Sequence, residues 1–132
     1  MIKRDAVWEE AIKLIGHDKL PDQLAPGDVL PLRMVWQAIG SINVDYTTFI
    51  HLVDEGNNLV SQRDTQPQDG FYPTSGWQSK AIVGDHYELE IPLSSATGEF
   101  QVFVGWYDSQ SGQRLRLSDG SNRLEIGRIQ IE

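Results

Sequence analysis

The side chains of this 132-residue sequence that could do chemistry are a pair of glutamates, three histidines, two acidic turns and a few aromatic rings. Glu88 and Glu90 lie two apart in an alternating run. A strand would put them on one face, roughly 7 Å apart. Some glycosidases hold two carboxylates at about that distance. A solvated strand face has the same pattern, and no cleft is signalled around it, so the solvated face is the preferred reading. His17, His51 and His86 fall in no H-x-H or H-E-x-x-H spacing, so no metal-ligand set is assigned. His51 sits inside an apolar run and reads as a hydrogen-bonded interior or edge histidine.

Asp54-Glu55-Gly56-Asn57-Asn58 and Asp119-Gly120-Ser121-Asn122 could offer oxygens to calcium. Neither has EF-hand spacing, and Asp, Asn and Gly are what tight turns demand for backbone reasons. Turn chemistry is therefore expected at both. There is no nucleophile elbow, no phosphate-binding loop and no dinucleotide fingerprint. Ser75 has no base in its neighbourhood. The sequence assigns no catalytic residue and no cofactor.

Aromatic residues are the sharpest feature. Trp36 and Trp106 lie on strand faces that read as buried, whereas Trp8, Tyr72 and Trp77 fall in segments that read as ends and loops. Exposed rings on a sandwich can stack on sugars or anchor a partner. Tyr72, Trp77 and Trp8 are thus the candidate ligand-binding residues. The competing reading is that Phe71, Tyr72 and Trp77 pin a long loop to the domain, as long ordered loops require.

The elements that must position these groups read as strands. Turn signals recur at short intervals, with alternating apolar residues between them. Residues 10–16 are ambiguous. Asp5 could cap a short helix ending at Gly16, but a strand agrees better with the rest of the chain. Residues 21–27 read as a loop. Residues 29–38 form a strand with Leu30, Leu32, Met34, Trp36 and Ala38 on one face. Residues 46–53 and 59–63 form a hairpin, followed by a long connection over 64–80. Further strands are expected at 86–91, 100–107, 113–117 and 124–131, with a bulge at Gly127. No crossover helices are present to join parallel strands. The expectation is one all-β domain over 1–132, an immunoglobulin-like antiparallel β-sandwich of about eight strands.

Composition narrows the partners. Eleven Lys and Arg stand against nineteen Asp and Glu, for a formal charge of −8. Phosphate backbones select basic surfaces, so nucleic acid is not expected, nor is an anionic membrane surface. With no cysteine, neither disulfides nor thiolate sites exist. No run is apolar enough for a membrane span and the polar start carries no signal peptide. The chain reads either as a cytoplasmic protein or as a piece of a longer one.

Five segments carry a resemblance. They are Leu14-Ile15-Gly16-His17-Asp18; Pro26-Gly27-Asp28 leading to Trp36-Gln37-Ala38; Asp45-Tyr46-Thr47 through Phe49-Ile50-His51-Leu52; Tyr72-Pro73-Thr74-Ser75 with Trp77; and Gly105-Trp106-Tyr107-Asp108 through Gly112-Gln113-Arg114-Leu115. In this order they resemble the small C-terminal β-sandwich domains of multi-span bacterial membrane proteins, which are themselves similar to glycosyltransferases of the dolichyl-phosphate-mannose type. His17 departs from the tyrosine more usual there. The resemblance implies a non-catalytic accessory domain on the extracytoplasmic face of a bacterial membrane, with the chemistry residing in a membrane part outside this sequence. It defines no binding residues. Three functions therefore stand as expectations: that accessory domain, with a structural or recognition role; a carbohydrate-binding module built on Tyr72, Trp77 and Trp8; and a free-standing cytoplasmic protein or enzyme.

Overall fold

Alternation of apolar and polar side chains lets a strand bury one face and wet the other, and two such sheets close a core between them. A computed structural model describes residues 1–132 and shows that arrangement. Nine strands form: β1 (Ile2–Trp8), β2 (Ile12–His17), β3 (Gln23–Leu24), β4 (Val29–Ala38), β5 (Tyr46–Val53), β6 (Leu59–Thr65), β7 (Ile82–Glu90), β8 (Gly98–Asp108) and β9 (Leu124–Ile131). One sheet has the order β1-β2-β4-β7 and the other β3-β9-β8-β5-β6. The chain is an immunoglobulin-like β-sandwich, with nine strands rather than eight. No helix is long and apolar enough to cross a membrane.

Three elements differ from the sequence reading. The strand expected at 10–16 forms as β2, but an unexpected strand, β1, precedes it, and the two make a hairpin. Its turn residues are Glu9 and Glu10, both with positive φ, at 49° and 54°. Such a turn usually advertises itself by Asn-Gly, and two glutamates give no such signal. The stretch read as loop at 21–27 contains β3, two residues long and parallel to β9. That pair breaks the all-antiparallel expectation, and two residues cannot show alternation. Residues 113–117 are not a strand. Their bonds split between the sheets: Leu115 N donates to Trp106 O (2.8 Å), while Glu9 N of the other sheet's hairpin donates to Arg116 O (2.9 Å). The segment thus crosses the open end of the sandwich, with Leu115 buried inside it. The bulge at Gly127 is present, opposite Val102 and Phe103 of β8.

The core is built on tryptophan. Trp8, Trp36 and Trp106 are fully buried, and Trp77 is 3 % exposed. Trp36 packs edge-on to Trp8 (5.7 Å between centroids) and to Trp106 (4.9 Å), and Trp77 continues the stack from Trp106 (6.1 Å). Edge-to-face packing is the preferred aromatic geometry and adds to the area buried.

One polar pair ties the sheets together. A register shift between Leu14 and Gly16 turns His17 inward, where it is 1 % exposed. Arg4 Nε donates to His17 Nε2 (3.0 Å), and an Arg4 amino group reaches Ile126 O of the opposite sheet (3.3 Å). Arginine can only donate, so Nε2 is the acceptor and Nδ1 carries the hydrogen that meets Asp18 O at 2.7 Å. Burial, and secondarily the Arg4 cation, hold the His17 pKa below the ordinary histidine value. The sign follows. Between the depressed folded value and the unfolded value of 6.5 the unfolded chain takes up a proton that the native state refuses. Stability is therefore full above about pH 6.5 and falls as the pH drops through that window. Urea midpoints at pH 7.5 and 5.5 should show the drop. His17→Gln keeps one acceptor and one donor and should reduce the slope, leaving the part due to His51. An unchanged slope in that variant would assign the pH response elsewhere.

Candidate functional site

The expected aromatic platform is not formed. Trp8 ends β1 inside the core and Trp77 lies beneath the long connection, so neither ring can meet a ligand. Tyr72 is half-buried against Trp77 (6.2 Å), whose Nε1 donates to Tyr72 O (3.0 Å). These rings anchor the connection instead, with Thr74, whose hydroxyl donates to Val44 O and accepts from Tyr46 N. Phe71 takes no part and is 90 % exposed. The segment that reads as an end is itself a strand, β1, and its last residue, Trp8, faces the core.

The other candidate groups go where turn and surface chemistry send them. Asp54 accepts from Gly56 N and Asn58 N, and Asp119 from Ser121 N and its hydroxyl. Both carboxylates thus serve their own turns. Glu88 and Glu90 are exposed on β7, an edge strand, beside Arg63, Asp69 and His86 in a shallow concavity. A larger hollow of about 540 Å³ lies on the outer face of the same sheet, floored by Val35 and Gly84, but its arginine, Arg33, is bound to Asp18 (3.1 Å).

The more distinctive surface is the outer face of the five-stranded sheet. All residues of β5 after Tyr46 are buried, on both faces of the strand. Thr48, Ile50 and Leu52 point inward, so Thr47, Phe49, His51 and Val53 point out. What covers them is the crossing segment and the residues just before β9. In 114–115 alternation sends Leu115 into the core and Arg114 outward, where its guanidinium lies 4.3 Å from the Phe49 ring centre. Arg123 lies 3.8 Å from the Phe103 ring centre, and Phe103 is directly across the ladder from His51. Beside Arg114 is a concavity of about 330 Å³, lined by Phe49, His51, Leu59, Gln62, Asp64, Tyr107, Gly112 and Arg114, with Arg123 outside it.

His51 is 9 % exposed and packs on Phe49 at 4.5 Å. It lies on a central strand and makes no protein hydrogen bond, unlike the hydrogen-bonded residue expected. Its ring nitrogens are not sealed off, being absent from the interior atoms that lack both solvent and partner. They face the concavity. Burial, then the Arg114 cation, hold its pKa below the ordinary value. Tyr107 donates to Asp64 (2.9 Å), and burial with that carboxylate raises the phenol pKa. The face offers aromatic edges, a neutral imidazole, an amide, a carboxylate and two guanidiniums. Its volume lies at the lower end of the range of small-molecule hollows. Sequence reading missed it because Arg114 and Arg123 belong to no motif and lie nine residues apart.

No family model and no curated protein matches the sequence. Solved structures do share the fold. A Niemann-Pick type C2 protein from Japanese carpenter ant superposes with a TM-score of 0.63 and 5 % identity over 100 % of both chains. The C-terminal domain of wzt gives 0.59 and 9 % identity, over 96 % of this chain and 77 % of that one. A β-glucosidase from Listeria innocua gives 0.53 and 14 % identity, over 91 % of this chain but 16 % of the enzyme. At such identities the likeness is one of fold.

Proposed function

We propose that this chain is a non-catalytic accessory domain that recognises a ligand through the outer face of its five-stranded sheet. The observation that carries the reading is β5: an outer strand face buried under two arginines, with an unpartnered histidine open to a hollow that Arg114 also lines. A purely structural sheet face has no need of such groups. The fold is used as a subordinate part in longer chains, as in the β-glucosidase, of which it matches 16 %. Attachment to a membrane-embedded sugar-transfer enzyme on the extracytoplasmic side rests on the sequence resemblance, and a carbohydrate is the ligand class it suggests.

Amide chemical-shift mapping against a panel of oligosaccharides tests the reading. Saturable shifts are expected at residues 49–52 and 105–107 and at Gln62, with the four indole N–H signals nearly still. Shifts confined to the hollow beside Gly84 would move the site to the other sheet. A panel that moves nothing would leave the domain a structural role alone.

A further inference from the structure

Two arginines without a carboxylate share one sheet face. The chain has eight more acidic than basic groups. In such a protein an exposed guanidinium readily finds a carboxylate, and Arg33, Arg63 and Arg128 do. Arg4, Arg114, Arg116 and Arg123 do not; Arg4 is spent on His17 and Ile126 O and Arg116 on its own turn at Gly120 O, which leaves Arg114 and Arg123, each over an aromatic ring of the same sheet face. Their side-chain hydrogen bonds go to neutral amide oxygens, Arg114 to Asn122 Oδ1 (3.2 Å) and Arg123 to Asn57 Oδ1 (3.4 Å). Each guanidinium has five N–H donors in a planar fork, so most remain free. Each plane is held by a ring below and an amide at one edge, which fixes its direction before any ligand arrives.

The two forks bracket His51. Phe49, under Arg114, is two residues from His51 on the same strand face, roughly 7 Å away. Phe103, under Arg123, is the residue paired with His51 across the ladder, about 5 Å away. The imidazole between them is buried and unpartnered. The one carboxylate in the hollow, Asp64, is occupied by the Tyr107 hydroxyl.

We propose that this face binds an anionic oxygen group, a carboxylate or a phosphate carried by a small ligand, between Arg114 and Arg123 and over His51. The inference rests on the reading of the same face as the recognition surface and names the charge of what it recognises. Guanidinium forks match both groups in geometry, and such charge-assisted bonds are the strong ones in a partly desolvated hollow. The groups facing His51 are Arg114, Arg123 and Asp64; a bound anion adds a negative charge to this set and favours the imidazolium.

The test uses the whole chain, labelled for NMR, at constant ionic strength. Inorganic phosphate and glucuronate are the anionic probes and glucose the neutral control. Expected are saturable shifts at His51, Gly105 and Arg114 with at least one anion, and a His51 titration midpoint that rises on saturation. Arg114→Gln and Arg123→Gln should each weaken the anion by about tenfold. Arg114→Lys and Arg123→Lys retain charge and packing, should lose part of the affinity, and serve if the glutamine variants unfold. Phosphate alone, or glucuronate alone, identifies which group the forks take. If neither anion moves the face while neutral oligosaccharides do, the anion is overturned and the recognition face survives. If neither the anions nor neutral oligosaccharides bind at this face, both readings fall.

Discussion

Replacing Trp36 with alanine should cost about 3–5 kcal/mol of folding stability. Trp36 is fully buried, at the centre of the aromatic stack, touching Trp8 on one side and Trp106 on the other. It is also the tryptophan of the inner three with a hydrogen-bonded indole: its Nε1 donates to the Tyr87 hydroxyl at 3.1 Å, whereas the nitrogens of Trp8 and Trp106 have no partner. Alanine removes the ring and with it the indole donor to the Tyr87 hydroxyl, which keeps Asp85 as a partner, so the cavity dominates the cost. Domains of this kind have about 5–15 kcal/mol in total, so the variant should unfold at much lower urea. Trp36→Phe keeps most of the volume but not the donor, and should fall between the two. A loss under about 1 kcal/mol for the alanine variant would mean that the flanking rings collapse into the gap, and that the stack is not the rigid centre of the core.

That stack was legible in part. Strand alternation placed Trp36 and Trp106 inside, because long strands repeat the pattern often enough to be read. Trp8 was misplaced for the opposite reason. Its strand reads Ile-Lys-Arg-Asp-Ala-Val-Trp, with charges at three successive positions, and a register shift between Lys3 and Ala6 breaks the period. The turn after it is glutamate-glutamate in a conformation that glycine or asparagine normally takes. Local signals fail where tertiary packing imposes a shape that the local residues do not prefer. Residues 113–117 failed likewise: they alternate like a strand, but their partners are divided between two sheets.

The candidate face was illegible for a different reason. Its floor was in view, as the unbroken apolar run of β5 is what a strand covered on both faces looks like. Its cover was not. Arg114 and Arg123 are nine residues apart in a polar stretch, and only the crossing of the sandwich end brings both over β5 and β8. Residues far apart in sequence that converge in space leave no spacing to read.

Gly105 joins the floor to the cover, and Gly105→Val should destabilise by about 1–3 kcal/mol through overpacking. Gly105 faces outward on β8, directly across from Phe49, and a Cβ there would overlap the tip of the Phe49 ring and come within 3.0 Å of the Asn122 carbonyl oxygen. Its backbone is ordinary strand, which valine prefers to glycine, so the whole cost is steric. The ring must swing off the sheet, and Arg114, which rests on it, must leave with it. Ligand response at this face should disappear together with the stability. Gly84→Val provides the matched control. Gly84 also faces outward on a strand, but a Cβ there meets nothing within 4 Å. Valine at Gly84 should be neutral or stabilising by about 0.5–1 kcal/mol. Thermal unfolding of the two variants side by side therefore isolates one contact. Opposite signs would establish that Phe49 lies on bare backbone and holds the arginine in place. Equal, small effects would mean that the ring and Arg114 move freely, and a loose guanidinium cannot be the aimed donor that ligand recognition at this face requires.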